Sequence, residues 1–172
     1  MEKTWIYIND QNDKIRYVLG TKGSKTLFCF GINPSTATPE KLDPTIKKVE
    51  CIAKYNGYDS FIMFNVYPKR DTVFEKLEES VNDGEHVKNI EIILQILADY
   101  KQLDIWAAFG DHIYERKYLP ICFKDIYNKL PKENTKWFAT GINKSGAPKH
   151  PLYQKKNSDL IDFDMESYVK TL

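Results

Sequence analysis

Apolar positions along this chain alternate between a period of two and a period of three to four, and that alternation sets the order of its elements. Thr4 to Ile8 and Lys14 to Leu19 interleave apolar and polar residues around a polar turn, Asn9 to Asp13, and predict an antiparallel hairpin. Thr26 to Phe30 is a short apolar run stopped by Gly31 and Pro34, which predicts a buried strand followed by a loop. Asp43-Pro44 then offers an N-cap residue and a proline suited to the first helical position. Ile46, Val49, Ile52 and Ala53 fall on one face of that helix, and Gly57 closes it. Ser60 to Asn65 predicts a second core strand. A helix over about His86 to Tyr100 gathers Val87, Ile90, Ile93, Leu94 and Leu97 into a core stripe. Asp104 to Phe109, ended by Gly110, and Thr135 to Thr140 predict two further strands. Between them a helical stretch from Asp111 to Leu130 is interrupted at Pro120, whose ring and missing N–H break a helix interior. Gly141 to Tyr153 is a loop punctuated by glycine and proline. Ile161, Met165, Tyr168, Val169 and Leu172 mark a C-terminal amphipathic helix.

Strands alternating with helices predict a sheet covered on both faces. The expectation is a three-layer α/β/α sandwich around a central four-stranded, mostly parallel sheet, preceded by the N-terminal β-hairpin, in one domain over residues 1–172. A chain of 172 residues is long enough for one self-sufficient core. With 42% hydrophobic and 28% charged residues, its composition excludes a disordered chain. No apolar run reaches the roughly 18 residues of a membrane span. Met1 to Asp10 also lacks a basic region followed by an apolar stretch. A cytoplasmic protein with no membrane partner is expected.

Charge narrows the partners. Lys+Arg total 25 against 24 Asp+Glu, a formal net charge of +1. Proteins that grip long stretches of duplex are usually strongly basic, so any nucleic-acid contact here is expected to be local. The arginines are Arg16, Arg70 and Arg116 alone, which argues against a phosphate-clamping arginine cluster. Cys29, Cys51 and Cys122 lack zinc or disulfide spacing and are expected as small buried apolar residues. Neither a metal nor a cofactor is expected.

Ligands of open parallel sheets bind beyond the carboxyl ends of the strands, so the segments that follow each strand carry the candidate chemistry. They are Gly31 to Ala37, Asn65 to Pro68, Gly110 to His112, and Lys144 to Tyr153. Two asparagines, a histidine, hydroxyls and aromatics at one edge suit a planar, hydrogen-bonding ligand. Among the histidines, His150 in its Gly/Pro-rich loop is favoured over His112, near the edge, and over His86, expected on a helix surface.

Gly31 to Ala37 (GINPSTA), Asp43-Pro44-Thr45, Asn65, the strand Trp106 to Gly110 and Gly146 to Tyr153 (GAPKHPLY) resemble an uncharacterised bacterial and phage family, domain of unknown function 1643, over roughly residues 15 to 155. That family in turn resembles the uracil-DNA glycosylase superfamily, whose members place a GxDPY or GINPG segment after the first strand. They place an asparagine after the second strand and an HPS-type loop after the last. The resemblance implies the matching fold and, residue by residue, a set of roles. Asn33 stands where a water-handling Asp or Asn stands. An amide takes no proton at neutral pH, so Asn33 orients water and Asp43 is the nearest carboxylate, unless Asp43 is simply a helix N-cap. Asn65 matches the reader of a pyrimidine edge, with a strand-end turn as its plain alternative. His150 matches the donor to the departing base oxygen. Gly31, Pro34 and Ser35 would border the base, and Tyr67 or Tyr153 would stack on it. Leu152 stands near the place of the apolar wedge pushed into the duplex. Lys144, Ser145 and Lys149 would touch flanking phosphates. Two departures matter: Ser35 replaces the tyrosine that excludes thymine, which admits a larger or modified base, and HPSPLS is shortened to HPLYQ. Three functions stay open: a DNA glycosylase-like hydrolase, a non-catalytic nucleobase or nucleotide-binding module, and a protein-interaction adaptor whose partner is unknown.

Overall fold

In the computed structural model, which describes residues 3–71 and 79–172, the period-two opening forms the hairpin its alternation predicts. Strand β1 (Trp5–Asn9) pairs antiparallel with β2 (Arg16–Thr21). The hairpin is not a separate appendage. Leu19 and Gly20 of β2 pair antiparallel with Met63 and Ile62 of β4 (Ser60–Asn65). β3 (Thr26–Gly31) lies parallel to β4 on one side and to β5 (Leu103–Ala107) on the other. β6 (Thr135–Ala139) is parallel to β5, and β7 (Ile161–Asp162) adds antiparallel to β6.

The result is one mixed seven-stranded sheet in the order β1-β2-β4-β3-β5-β6-β7, half of whose pairings are antiparallel. This corrects the four-stranded, mostly parallel expectation. An edge at β4 would leave a row of backbone donors and acceptors unpaired, and β2 satisfies them. β2 comes that close because Gly20 has no side chain: a Cβ there would sit 2.3 Å from the Phe61 carbonyl oxygen.

Four helices pack on the sheet among the described residues. α1 (Pro44–Tyr55) begins at Asp43, whose side chain accepts from the Ile46 N–H at 2.8 Å. α2 (Asp83–Leu97) starts earlier than its apolar period predicts because Asn82 caps it, accepting from the Glu85 N–H. Its buried stripe runs through His86, Asn89, Ile90, Ile93 and Leu97, whereas Val87 is exposed. Two polar residues turn inward because partners await them. His86 Nε2 lies 3.2 Å from an Asp125 oxygen, and Asn89 donates to the Asn65 carbonyl at 2.9 Å. His86 is therefore buried, not a surface residue.

Pro120 falls in the first turn of α3 (Tyr118–Lys129), where its missing N–H is not needed, so the helical stretch breaks upstream, after a 3-10 turn at Gly110–Tyr114. At the C-terminus Asp164 accepts from the Ser167 N–H at 3.0 Å and starts α4 (Met165–Val169) only there. Ile161, read from sequence as helical, is left extended in β7. No described helix is long and apolar enough to cross a membrane.

Strand side chains alternate between two cores. Phe28, Phe30, Ile62, Phe64 and Ile105 face α2 and α3. Leu27, Cys29, Phe61, Met63 and Trp106 face Ile46, Val49, Ile52 and Ala53 of α1. Cys29 and Cys122 are buried as expected, while Cys51 is only half-buried.

Candidate functional site

β3 and β4 end side by side, with Gly31 paired to Asn65 in register, and the carboxyl edge they form opens into a cavity of about 170 Å³. That is below the usual range of roughly 300–1,000 Å³ for drug-sized ligands and matches a single ring. Asn65 sets its floor. The residue is 1% exposed and its backbone oxygen takes the Asn89 bond, yet neither its side-chain oxygen nor its nitrogen has a hydrogen-bond partner. Each unsatisfied buried polar group costs about 1–3 kcal/mol, so such an amide calls for a ligand-side explanation. Gly31 makes the room: a Cβ there would lie 3.0 Å from Asn65 Oδ1 and 2.6 Å from Met63 Cε.

The GINPS segment forms one wall with Gly31, Ile32, Asn33 and Ser35. Asn33 Nδ2 donates to the Asp71 carbonyl at 3.2 Å, which leaves Oδ1, an acceptor, as the atom it offers to a ligand. Asp43 lines the same cavity while capping α1, so its two sequence readings occupy one place.

His150 comes from the opposite loop, just before a 3-10 turn at Pro151–Tyr153. Its Nδ1 accepts from the Leu152 N–H at 3.2 Å, so a neutral ring carries its proton on Nε2. Burial first, then neighbouring His112, pushes the pKa down to about 4, with Asp43 pulling the other way. The ring is neutral and a hydrogen-bond donor at physiological pH. Gly110 permits this approach, with φ at +66° and a would-be Cβ 3.0 Å from His150 Cβ. The exposed His112 ring stands nearly perpendicular to His150, 6.4 Å between centroids, and also lines the cavity.

Arg16 completes the wall, a residue the sequence reading passed over. It is 1% exposed, donates from Nη1 to the Ala37 carbonyl at 3.1 Å, and has no partner for Nε. Arg70 donates to the same carbonyl at 3.3 Å and holds Asp13 at 2.9 Å. Two of the three arginines therefore do converge, against expectation. The available signal was an arginine inside the apolar run Ile15 to Leu19.

Other predicted residues lie elsewhere. Tyr67 is buried in the core, donating to Glu85 Oε2 at 3.1 Å, accepting from the Asn82 N–H at 3.1 Å and packing edge-on against Tyr118. It is not placed to stack on a base. Pro34 is buried, with its carbonyl accepting from the Asp71 N–H. Leu152 and Tyr153 are exposed at 39% and 79%, and with Lys144, Ser145 and Lys149 they sit on the loop that carries His150 without lining the cavity. Ser145 Oγ bonds Asp111.

A roomier cavity of about 660 Å³ lies at the opposite edge, among Gly23, Tyr58, Asp59 and Ser60. Its polar groups satisfy one another: Asp59 accepts from the Ser24 and Lys25 N–H groups, Ser60 bonds Thr26, and Lys3 pairs with Glu50. The smaller cavity, with unmatched buried donors and acceptors, is the better candidate. Among the described residues no group of three or more His, Cys, Asp or Glu side chains is placed to hold a metal ion.

Residues 16–152 match a family model whose description is "Protein of unknown function (DUF1643)". No curated protein and no solved structure matches the chain.

Proposed function

This chain belongs to the DUF1643 family of proteins of unknown function, and on that footing we propose that it takes a pyrimidine base of DNA at the carboxyl edge of its sheet and hydrolyses the N-glycosidic bond. One observation carries the reading: the Asn65 amide, buried with donor and acceptor both unmatched, in a cavity the size of one ring. A pyrimidine edge presents a complementary acceptor and donor side by side. The likeness of GINPS, Asn65, Phe109-Gly110 and HPLY to the uracil-DNA glycosylase superfamily, in the same order along the chain, supports the choice of chemistry and of that superfamily's sandwich fold.

The residues divide the reaction as follows. Water adds to the sugar carbon while the carbon–nitrogen bond breaks and the base leaves with the bonding pair. Negative charge grows on the base oxygen, where the neutral His150 Nε2–H donates to it. Asn33 Oδ1 orients the water, and Asp43 takes its proton, since an amide has no basic site for it. Ser35, small where a tyrosine would exclude a 5-substituent, admits a modified pyrimidine.

A non-catalytic base-binding module is the second reading, favoured by the helix-capping bond that already engages Asp43. Duplex and single-stranded oligonucleotides carrying uracil, hydroxymethyluracil or modified cytosine, incubated with the protein and treated with alkali, separate the two. Strand breaks at one such base are expected, abolished in Asn65→Ala and slowed by about 10²- to 10³-fold in His150→Gln. Tight binding of a base with no breaks establishes the second reading. Neither breaks nor binding rejects both.

A further inference from the structure

We propose that Arg16 receives a phosphate of the same ligand, so that the site takes a nucleotide and not a free base; the proposal rests on the nucleobase reading above. Arg16 is a charge taken out of water with no direct ion-pair partner. Among the described residues no carboxylate lies within ion-pairing distance of it, its one side-chain hydrogen bond is to a neutral carbonyl, and its buried Nε has no partner. Buried cations are ordinarily paired, because desolvation otherwise opposes them. Burial first, then the neighbouring Arg70, lower its pKa to about 10 against the pull of Asp43, which still leaves the guanidinium charged at neutral pH.

Arg70 raises the demand for an anion. Both guanidiniums donate to the Ala37 carbonyl, and Asp13 forms its ion pair with Arg70, so Arg16 has no ion pair of its own. Asp43 faces the same cavity, yet it caps α1 and makes no ion pair with Arg16. If Arg16 served only to pin Ala37, a neutral donor would suffice and no charge would need burying. A phosphate oxygen suits the fork of a guanidinium and gives the buried Nε the partner it lacks.

Space agrees with charge. The cavity at Asn65 holds one ring, so the remainder of a nucleotide must leave it. Ser35 and Asp71, which line that cavity beside Arg16, also line a more open one of about 410 Å³ together with Arg70. A ring against Asn65 and His150 therefore continues past Arg16 into a groove that holds Arg70, its partner Asp13, and Asp71. The phosphate has two possible sources, a free nucleotide or the backbone of a strand.

Calorimetric titration of the full chain with deoxyuridine, its 5′- and 3′-monophosphates and a short deoxyuridine-containing single strand tests this. A phosphorylated form is expected to bind about 10- to 100-fold tighter than the nucleoside, an advantage that shrinks with added salt. A gain confined to a monophosphate identifies a free nucleotide, and a gain confined to the strand identifies DNA. Arg16→Gln is expected to remove the difference between the phosphorylated forms and the nucleoside, while Arg16→Lys keeps part of it. Should the variants not fold, the wild-type comparison and its salt dependence still decide. Equal binding of all forms by wild type, or a gain untouched in folded Arg16→Gln, overturns the proposal and leaves the nucleobase reading intact. Binding of no form at all overturns both.

Discussion

A histidine held neutral is useful as a donor and costly in acid. The folded His150 ring has its pKa pushed down to about 4 from the ordinary 6.5. Between those values the unfolded chain binds a proton that the folded chain refuses, so stability is present above pH 6.5 and is lost as pH falls toward 4. The loss is up to about 3 kcal/mol. Wild-type protein is therefore expected to melt at steadily lower temperature from pH 6.5 to 4, and His150→Gln, which has no such proton, to show a shallower decline. Identical slopes would place the acid sensitivity elsewhere. That His150 belongs at this edge was legible in sequence, from a Gly/Pro-rich loop after the last parallel strand. Its neutrality was not, because it arises from burial and from His112, contributed by a different loop.

At the level of elements, local capping decided more than periodicity. Asp43, Pro44 and Gly57 bracket α1 as their chemistry requires, whereas the faces of α2 and the start of α4 follow Asn82, Asn89 and Asp164, whose bonds outweigh the apolar period. Capping also separates the two roles open to Asp43. Asparagine caps as well as aspartate but accepts no proton, so Asp43→Asn is expected to unfold in urea close to wild type, with Asp43→Ala about 1 kcal/mol less stable. If Asp43→Asn abolishes base release in the oligonucleotide assay while remaining as stable, the carboxylate takes the proton. Full retention of activity would leave the cap as its role.

Across the whole molecule, the join between hairpin and parallel strands is the decisive feature. Gly20 makes it, and Gly20→Ala would force a methyl to within 2.3 Å of a backbone oxygen that cannot yield without breaking the β2–β4 ladder. A loss of about 3 kcal/mol in urea denaturation is expected, together with lost ligand binding, because the same ladder carries Arg16 to the cavity. A stability near wild type would show that β2 can part from β4 freely. Chain order and periodicity alone determined β1 to β6, the main helices and the placing of Gly31, Asn33, Ser35, Asn65 and His150 at strand ends or in the segments that follow them, since a strand terminus is a local property. Only the tertiary structure decided that β2 pairs with β4, that Tyr67 turns into the core, and that Arg16 is buried beside Asn65. Each of these depends on what lies across a ladder or a cavity, and no local pattern records that.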